Sequence, residues 1–163
     1  MTKSMLALLG GLVAVAGLAA QSKPSLLVGV WQAVEVTMTG PGARTITIPE
    51  PRPNVIILTP KYYSRVEVHA EGPRPLLPEP ATASADQLRA TWGPFVGEAG
   101  TYEVNGEVIT MRPISAKDPA AMAKGAFIAY TYRLEGQTLW VTYQRNQAGA
   151  LPNPATIKLV RVE

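Results

Sequence analysis

After residue 28 the chain is divided into short runs rich in Val, Ile, Thr and Tyr, and turn residues separate these runs. This pattern is typical of an all-β sandwich or barrel. Fifteen prolines and fourteen glycines reinforce it, because proline removes a backbone donor and glycine weakens helix interiors. We count about eight to nine strands, near the number at which a closed barrel can hold one small ligand. The sequence therefore predicts an up-and-down antiparallel β-barrel.

The two ends of the predicted sheet carry complementary side chains. The first run contains Gly29-Val30-Trp31, and the last run ends with Lys158-Leu159-Val160-Arg161. A guanidinium stacks well on an indole ring. We therefore predict that Trp31 and Arg161 meet where the first and last strands join and close the barrel.

Local turn signals set the other boundaries. Asn105-Gly106 tolerates the positive φ angles of a tight hairpin, and a second turn is centred on Glu135-Gly136. Four prolines keep the stretch 71–83 out of the sheet. Ser84 with Gln87 predicts a capped helix of two or three turns that covers part of the barrel. The loop 72–80 and the turn 49–53 are the candidates for the barrel mouth.

The N-terminus has the pattern of an export signal. Lys3 precedes an apolar stretch from Met5 to Ala16, and small residues follow up to Ala20. We interpret residues 1–20 as a cleaved signal peptide and 21–163 as one β-barrel domain. A retained anchor is the alternative, but the apolar stretch is shorter than the roughly 18 residues that span a bilayer. Export predicts a periplasmic or secreted protein without a membrane anchor after cleavage.

Several classes of function find no support. The net charge of +3 comes from basic residues scattered among acids, so nucleic acid is not an expected partner. No cysteine is present, which excludes a disulfide, a thiolate nucleophile and a thiolate metal site. His69 is the only histidine and is expected on the surface, whereas a metal site needs several convergent ligands. We predict no metal, no cofactor and no catalytic triad, and the sequence does not indicate an oligomeric state.

Alternation along the strands predicts the interior, because successive side chains point to opposite faces. In the run 62–69 we expect Tyr62, Ser64, Val66 and Val68 inside, with Tyr63, Arg65, Glu67 and His69 outside. A largely apolar interior with several tyrosines suits a flat or aromatic ligand, although the tyrosines could equally fill the barrel. The predicted ligand-binding residues are Glu35, Tyr62, Val66, Tyr102, Met111, Tyr130, Tyr132, Val141 and Tyr143.

Glu35 admits two interpretations. If the first strand is regular, Glu35 shares the inward face of Trp31 and places a carboxylate in the cavity, where desolvation raises the pKa of an unpaired acid. If the strand contains a bulge, or if Val34 and Val36 face inward, Glu35 lies outside. The cost of burying an unpaired charge favours the second arrangement.

Five motifs of the chain occur in a recognisable order: Leu27–Trp31, Ile56–Pro60, Gly100–Gly106, Leu139 and Arg161. Together they resemble the bacterial lipocalin-like domain family, small relatives of the calycin barrels. The resemblance covers most of the chain after the signal, residues 21–163, and implies a ligand-holding lipocalin-like barrel. The family pattern has a histidine near Met111 and an arginine near Tyr130, which this chain lacks, so the resemblance implies a cavity more apolar than that of its relatives.

The preferred function is an exported barrel that binds a small hydrophobic molecule in its interior. One alternative is an enzyme of the same shape, in which Glu35 or a cavity tyrosine performs acid–base chemistry of an isomerase or cyclase type on an apolar substrate. Another is a non-catalytic envelope module whose barrel is packed solid. The state of the cavity distinguishes these three functions.

Overall fold

The computed structural model describes residues 26–70, 72–77 and 79–163. The signal-peptide prediction for residues 1–20 lies outside this part of the chain. No helix in the described ranges is long and apolar enough to cross a bilayer. The strands and the helix are β1 (Gly29–Met38), β2 (Arg44–Thr47), β3 (Asn54–Leu58), β4 (Tyr62–Val68), α1 (Ala85–Trp92), β5 (Phe95–Asn105), β6 (Val108–Ala116), β7 (Ile128–Glu135), β8 (Thr138–Asn146), β9 (Gly149–Ala150) and β10 (Ala155–Arg161).

The sheet closes on itself, which confirms the predicted barrel. Its order is β10-β1-β3-β4-β5-β6-β7-β8, and β10 pairs with both β1 and β8. Every pairing is antiparallel. Eight strands thus form the barrel wall, while β2 extends alongside β1 and β9 alongside β8. A closed eight-stranded antiparallel barrel with one helix is consistent with a calycin-like small barrel.

The two ends of the barrel differ in how the strands are connected. Tight hairpins join β3 to β4, β5 to β6 and β7 to β8 at one end, which we call the hairpin end. Gly106 and Gly136 adopt φ of +59° and +57° in two of these turns, as the Asn-Gly and Glu-Gly signals predicted. The long connections 39–53, 69–94, 117–127 and 147–154 gather at the other end, which we call the loop end. Both predicted mouth segments belong to the loop end.

Helix α1 begins as predicted but packs differently. Ser84 Oγ accepts a hydrogen bond from Gln87 N at 3.2 Å, and Gln87 Oε1 accepts one from Ser84 N at 2.8 Å, which completes a capping box. None of its residues is buried. The helix, predicted to cover part of the barrel, thus adds no residue to the buried core, which is formed by the strands and by Leu27.

The core fills the hairpin end. Its buried members surround Trp31, whose side chain is fully enclosed, and half-buried residues of β7, β8 and β10 pack against them. The buried cluster comprises Leu27, Trp31, Ala33, Ile56, Leu58, Tyr63, Tyr102, Ile109, Met111, Tyr130, Leu139 and Leu159.

Candidate functional site

Trp31 and Arg161 seal the hairpin end. The two residues pair across β1 and β10, and the guanidinium carbon of Arg161 lies 4.2 Å from the centroid of the Trp31 ring. Trp31 Nε1 donates to the carbonyl oxygen of Leu27 at 2.9 Å, while Arg161 Nη1 donates to that of Val28 at 2.5 Å. The indole and the guanidinium therefore close this end of the barrel.

Gly29 is required by this arrangement. Its φ is +149°, and a Cβ at this position would collide with Nη1 of Arg161 and with the carbonyl oxygen of Glu163. The glycine of the Gly-x-Trp motif thus provides space for the guanidinium that covers the indole.

A bulge in β1 settles the position of Glu35. Ala33 pairs with Leu159 and Glu35 with Lys158, so β1 carries one residue more than β10 between these pairs. Leu159 is buried, and Lys158 therefore points to the opposite face of β10. Because Glu35 faces Lys158, it does not share the inward face of Trp31 and Ala33. The interpretation that placed Glu35 in the cavity is wrong.

The predicted orientation of β4 is reversed. Tyr62 is 56% exposed and Val66 is 40% exposed, whereas Tyr63 and Glu67 are buried. The side chains facing inward are therefore those of Tyr63, Arg65 and Glu67. Charged residues replace the expected apolar surface on this wall, and the expectation of a more apolar cavity is wrong here.

These residues form a network that we call the Arg65 cluster, consisting of Tyr63, Arg65, Glu67, His69 and Glu98. Arg65 pairs with Glu98 across β4 and β5, and Arg65 Nε lies 3.0 Å from Glu98 Oε1. Tyr63 donates its hydroxyl hydrogen to the same oxygen at 3.0 Å. The side chains of Glu98 and Arg65 are only 6% and 19% exposed. An ion pair therefore lies in the barrel wall, largely shielded from water.

Glu67 and His69 continue the cluster toward the loop end. Glu67 Oε1 lies 3.7 Å from Arg65 Nη1, and Glu67 Oε2 lies 2.6 Å from His69 Nε2. Burial disfavours the charge on Glu67, but the hydrogen bond with His69 and the charge of Arg65 outweigh it and lower the pKa of Glu67. The same hydrogen bond raises the pKa of His69, and its effect exceeds the opposing effect of burial.

The guanidinium of Arg65 stays charged. Burial disfavours the charge, but the interactions with Tyr130, Glu67 and Glu98 outweigh it and the net pKa of Arg65 is raised. Burial and the neighbouring Glu98 raise the pKa of Tyr63, and burial raises the pKa of Tyr130 to about 12. Both tyrosines are therefore neutral hydrogen-bond donors near pH 7.

Two polar atoms of this region form no hydrogen bond with another described residue. Glu98 uses Oε1 for both of its contacts, and Oε2 has no hydrogen-bond partner within the described ranges. The Tyr130 hydroxyl also lacks one there. In this part of the chain, Nε of Arg52 and Nε of Arg65 are shielded from water and form no hydrogen bond, although Nε of Arg65 lies within ion-pair distance of Glu98 Oε1.

Tyr130 packs against Tyr143, which lines a pocket at the loop end. Its ring lies 5.4 Å from that of Tyr143, centroid to centroid, in a tilted arrangement. Tyr143 lines a pocket of about 180 Å³ between the ends of β6, β7 and β8 and the turn 118–126. The pocket is lined by Pro113, Asp118, Ala120, Ala121, Ala126, Phe127, Ile128, Tyr143, Asn146 and Gln147.

The remaining predicted residues belong to the packed interior. Tyr102 and Met111 are buried, and the Tyr102 hydroxyl donates to the carbonyl oxygen of Thr59 at 2.6 Å, close to the hairpin end. Tyr132 and Val141 are half-buried against the core. Of the predicted set, Tyr130 and Tyr143 lie at the site.

The sequence interpretation missed Arg65, Glu67 and Glu98 as interior residues. A signal for the first two was present, because Tyr63, Arg65 and Glu67 alternate on one face of β4. Glu98 was hidden in the segment 95–100, whose glycines and alanine favour strands weakly. The described residues contain no group of three or more His, Asp or Glu positioned to hold a metal ion.

Comparisons with known proteins give a structural likeness only. No model of a known family matches the chain, and no curated protein gives a significant match. Among solved structures, the chain is similar to the crystal structure of an uncharacterized protein from Bacteroides eggerthii DSM 20697. The match has a TM-score of 0.45 and 10% sequence identity, and it covers 82% of this chain and 98% of that chain. We draw no functional argument from it.

Proposed function

We propose that the chain is an exported, lipocalin-like protein that binds a small molecule at the loop end of its barrel. The lipocalin-like assignment is supported by the Gly-x-Trp motif, its contact with Arg161 and the sealed hairpin end. The export signal supports a periplasmic or secreted location, with no anchor after cleavage. Fractionation of cells that express the full chain tests the location directly.

The observation that carries the proposal is the pocket beside Tyr143 at the loop end, and the Arg65 cluster in the barrel wall adds to it. Placing charged groups out of water is costly, and well-packed apolar residues of similar volume are often as stable or more so. The Arg65 cluster is therefore not what packing alone favours. At the loop end, the Tyr143 ring lines the pocket and packs against the Tyr130 ring, and these groups are the candidates for contact with a ligand.

The size of the pocket sets the size of the ligand. At about 180 Å³ it is smaller than the roughly 300–1,000 Å³ of drug-sized sites, so the ligand is correspondingly small. Its apolar or aromatic part contacts Ile128, Phe127 and the Tyr143 ring. Burial of about 200 Å² of apolar ligand surface contributes about 5 kcal/mol before ordering costs, which corresponds to weak or moderate affinity.

An acid–base enzyme of the same shape has less support. Glu35 faces Lys158 and not the interior. Tyr63 and Tyr130 have raised pKa values, which make them poor bases at neutral pH. A barrel packed solid, the third possibility, accounts for the hairpin end but not for the pocket beside Tyr143.

The test uses protein purified after export. Native mass spectrometry is expected to detect a co-purifying small molecule, and a fluorescent apolar probe is expected to bind. Tyr143→Ala should weaken probe binding about tenfold, the effect of losing about 1.4 kcal/mol of contact energy. Tyr62→Ala is the matched control, because Tyr62 is an exposed tyrosine of the barrel wall, and it should leave binding unchanged.

Absence of a co-purifying molecule together with absence of probe binding would overturn the proposal. An equal loss in the Tyr143 and Tyr62 variants would also contradict it, because binding would then not occur at the loop end.

A further inference from the structure

A second pocket lies at the loop end, between the loop 72–80 and α1. Its volume is about 410 Å³, and it shares no lining residue with the pocket beside Tyr143. This volume falls within the roughly 300–1,000 Å³ of drug-sized sites. The lining comes from the segment 74–77, from Pro80, and from Thr91 and Trp92 at the end of α1. None of these residues belongs to the buried core, so a molecule bound here lies outside the barrel.

The lining is mainly apolar, and two of its side chains remain largely exposed. Leu76 is 91% exposed and Trp92 is 51% exposed. Exposed apolar side chains that gather at a concave surface are typical of an interaction site, whereas scattered ones are normal on any protein surface. A ligand that covers Leu76 and Trp92 removes this apolar surface from water, which favours binding.

Hydrogen bonds and ring contacts hold the pocket walls in place. Thr91 Oγ1 donates to the carbonyl oxygen of Pro75 at 2.9 Å, and Arg74 Nη1 donates to that of Thr91 at 3.2 Å. The Phe95 ring at the start of β5 meets the Trp92 ring edge-on, with the centroids 6.1 Å apart. The guanidinium carbon of Arg74 lies 5.8 Å from the centroid of the same Phe95 ring. Walls that are fixed in advance lower the ordering cost of binding.

Arg74 is the charged residue of the lining. Within the described ranges no carboxylate forms an ion pair with it. The bond to Thr91 is the one hydrogen bond that its guanidinium forms there, and it uses Nη1. A guanidinium has five N–H donors in a planar fork, and this fork matches the two oxygens of a carboxylate. Arg74 therefore has donors left for an anionic group in the pocket.

The other charges near the pocket leave it positive. Asp86 and Arg89 of α1 pair with each other at the surface. Glu79 is exposed and caps the short turn that follows it. The ammonium of Lys117 donates to the carbonyl oxygen of Trp92 and brings a second positive charge close to the lining. Within the described ranges, two cations without a carboxylate partner thus outnumber the one unpaired carboxylate in this region.

We propose that this pocket binds a small carboxylate with an apolar body, whose carboxylate pairs with Arg74 and whose body lies against Leu76 and Trp92. The fork of Arg74 donates two parallel hydrogen bonds to a carboxylate, and a neutral amide cannot accept them in the same way. Binding at this site does not depend on the proposed function, because the two pockets share no lining residue.

Three probes with the same apolar body test the charge preference. 3-Phenylpropionate, 3-phenylpropanamide and 3-phenylpropylammonium differ in the charge of the end group. NMR titration of the exported protein at low ionic strength follows the indole N–H of Trp92, while Trp31 and Trp140 lie outside the pocket and serve as references. We expect 3-phenylpropionate to shift the Trp92 signal and to bind about tenfold more tightly than the amide, and the ammonium to bind most weakly. Added salt should reduce the preference, because Arg74 is only half-buried.

Substitutions at Arg74 locate the effect. Arg74→Gln should remove the preference for 3-phenylpropionate over the amide. Arg89→Gln is the matched control, because Arg89 lies on α1 and does not line the pocket, and it should preserve the preference. Arg74→Lys keeps the charge but not the planar fork, so it should retain part of the preference. An unchanged Trp31 signal in each variant shows that the barrel is folded.

The outcomes separate this site from the pocket beside Tyr143. Equal affinities for the three probes, or a preference for the ammonium, would overturn the proposal. A preference for 3-phenylpropionate that persists in Arg74→Gln would also overturn it, as would a Trp92 signal that none of the probes moves. Tyr143→Ala should leave the Trp92 titration unchanged, and a loss of the Trp92 response in that variant would contradict an independent site.

Discussion

Arg65 and Glu98 face each other across β4 and β5, and their ion pair lies in the wall of a closed barrel. Oε1 of Glu98 also accepts a hydrogen bond from the Tyr63 hydroxyl, so this one oxygen contacts both Arg65 and Tyr63. This relationship determines both the stability of the wall and the chemistry of the site.

Removal of Arg65 should destabilise the fold. Arg65→Met leaves Glu98 without its cation and Glu67 with His69 alone, and breaking a buried pair typically costs about 3 kcal/mol or more. Denaturant unfolding should show that the free energy of unfolding falls by about 2 to 3 kcal/mol. The value is lower than for a fully buried pair because Arg65 is partly exposed. Arg112→Met, which breaks an exposed pair with Glu103, should cost less than about 1 kcal/mol. Equal losses in both variants would contradict a structural role for the buried pair.

Gly29→Ala should disrupt the hairpin end. The substituted Cβ meets Arg161 and the backbone of Glu163, and the positive φ adds strain. We expect a loss of about 2 to 3 kcal/mol in the free energy of unfolding. Gly42→Ala provides the comparison, because Gly42 has a positive φ of +81° but nothing lies near its Cβ position. Its cost should be about 1 kcal/mol, from backbone strain alone.

His69 should titrate above its ordinary pKa of 6.5, because Glu67 binds its protonated form. The stability contributed by this raised pKa is fully present below the unfolded pKa and is lost as the pH rises through the folded pKa. NMR titration of the single histidine measures the value, and in Glu67→Gln the pKa should fall back toward 6.5. An unchanged pKa in that variant would show that Glu67 is not the cause.

Glu67 has the opposite pH dependence. Its pKa lies below 4.5 in the folded protein, so its contribution is present above the unfolded pKa and is lost as the pH falls through the folded pKa. The difference in unfolding free energy between the natural protein and Glu67→Gln should therefore shrink in acid. Denaturant unfolding from pH 7 down to about pH 3 measures it, a range that begins above the ordinary carboxyl pKa. A difference that grows in acid would contradict the assignment.

Lys117 holds the end of α1 against β5. Its ammonium donates to the carbonyl oxygens of Trp92, of Gly93 at 3.1 Å and of Phe95 at 2.8 Å. Such a cation satisfies carbonyls at a helix C-terminus. Lys117→Met should speed hydrogen exchange in α1 and cost about 1 kcal/mol. The exposed Lys124 provides the control, and Lys124→Met should leave exchange in α1 unchanged.

Short-range signals in the sequence predicted the turns and the helix start. Gly106 and Ser84 act on residues two or three positions away, so their effects can be inferred from neighbours alone. The orientation of β4 depends on partners distant in the sequence. Arg65 was expected outside because a lone charge belongs in water, and Glu98 neutralises it only once β4 and β5 are in register.

The bulge in β1 limits the prediction in another way. Regular alternation would place the Glu35 side chain on the same face of β1 as Trp31. The extra residue after Ala33 reverses this, so that Glu35 lies on the opposite face. The cost of burying a carboxylate pointed to the outward position, but no residue type marks where a bulge forms. The barrel could thus be predicted from the strand pattern, while the polar side of its interior could not.

The seal at the hairpin end also constrains when the protein can fold. Arg161 contacts the backbone of Leu26 and Val28, and the edge of β1 that faces away from β3 receives its partner only after β10 has been synthesised. A chain truncated before β10 would leave β1 and β8 with bare edges that other chains can pair with. Synthesis of β10 therefore closes an open sheet, whose free edges favour aggregation, into a barrel.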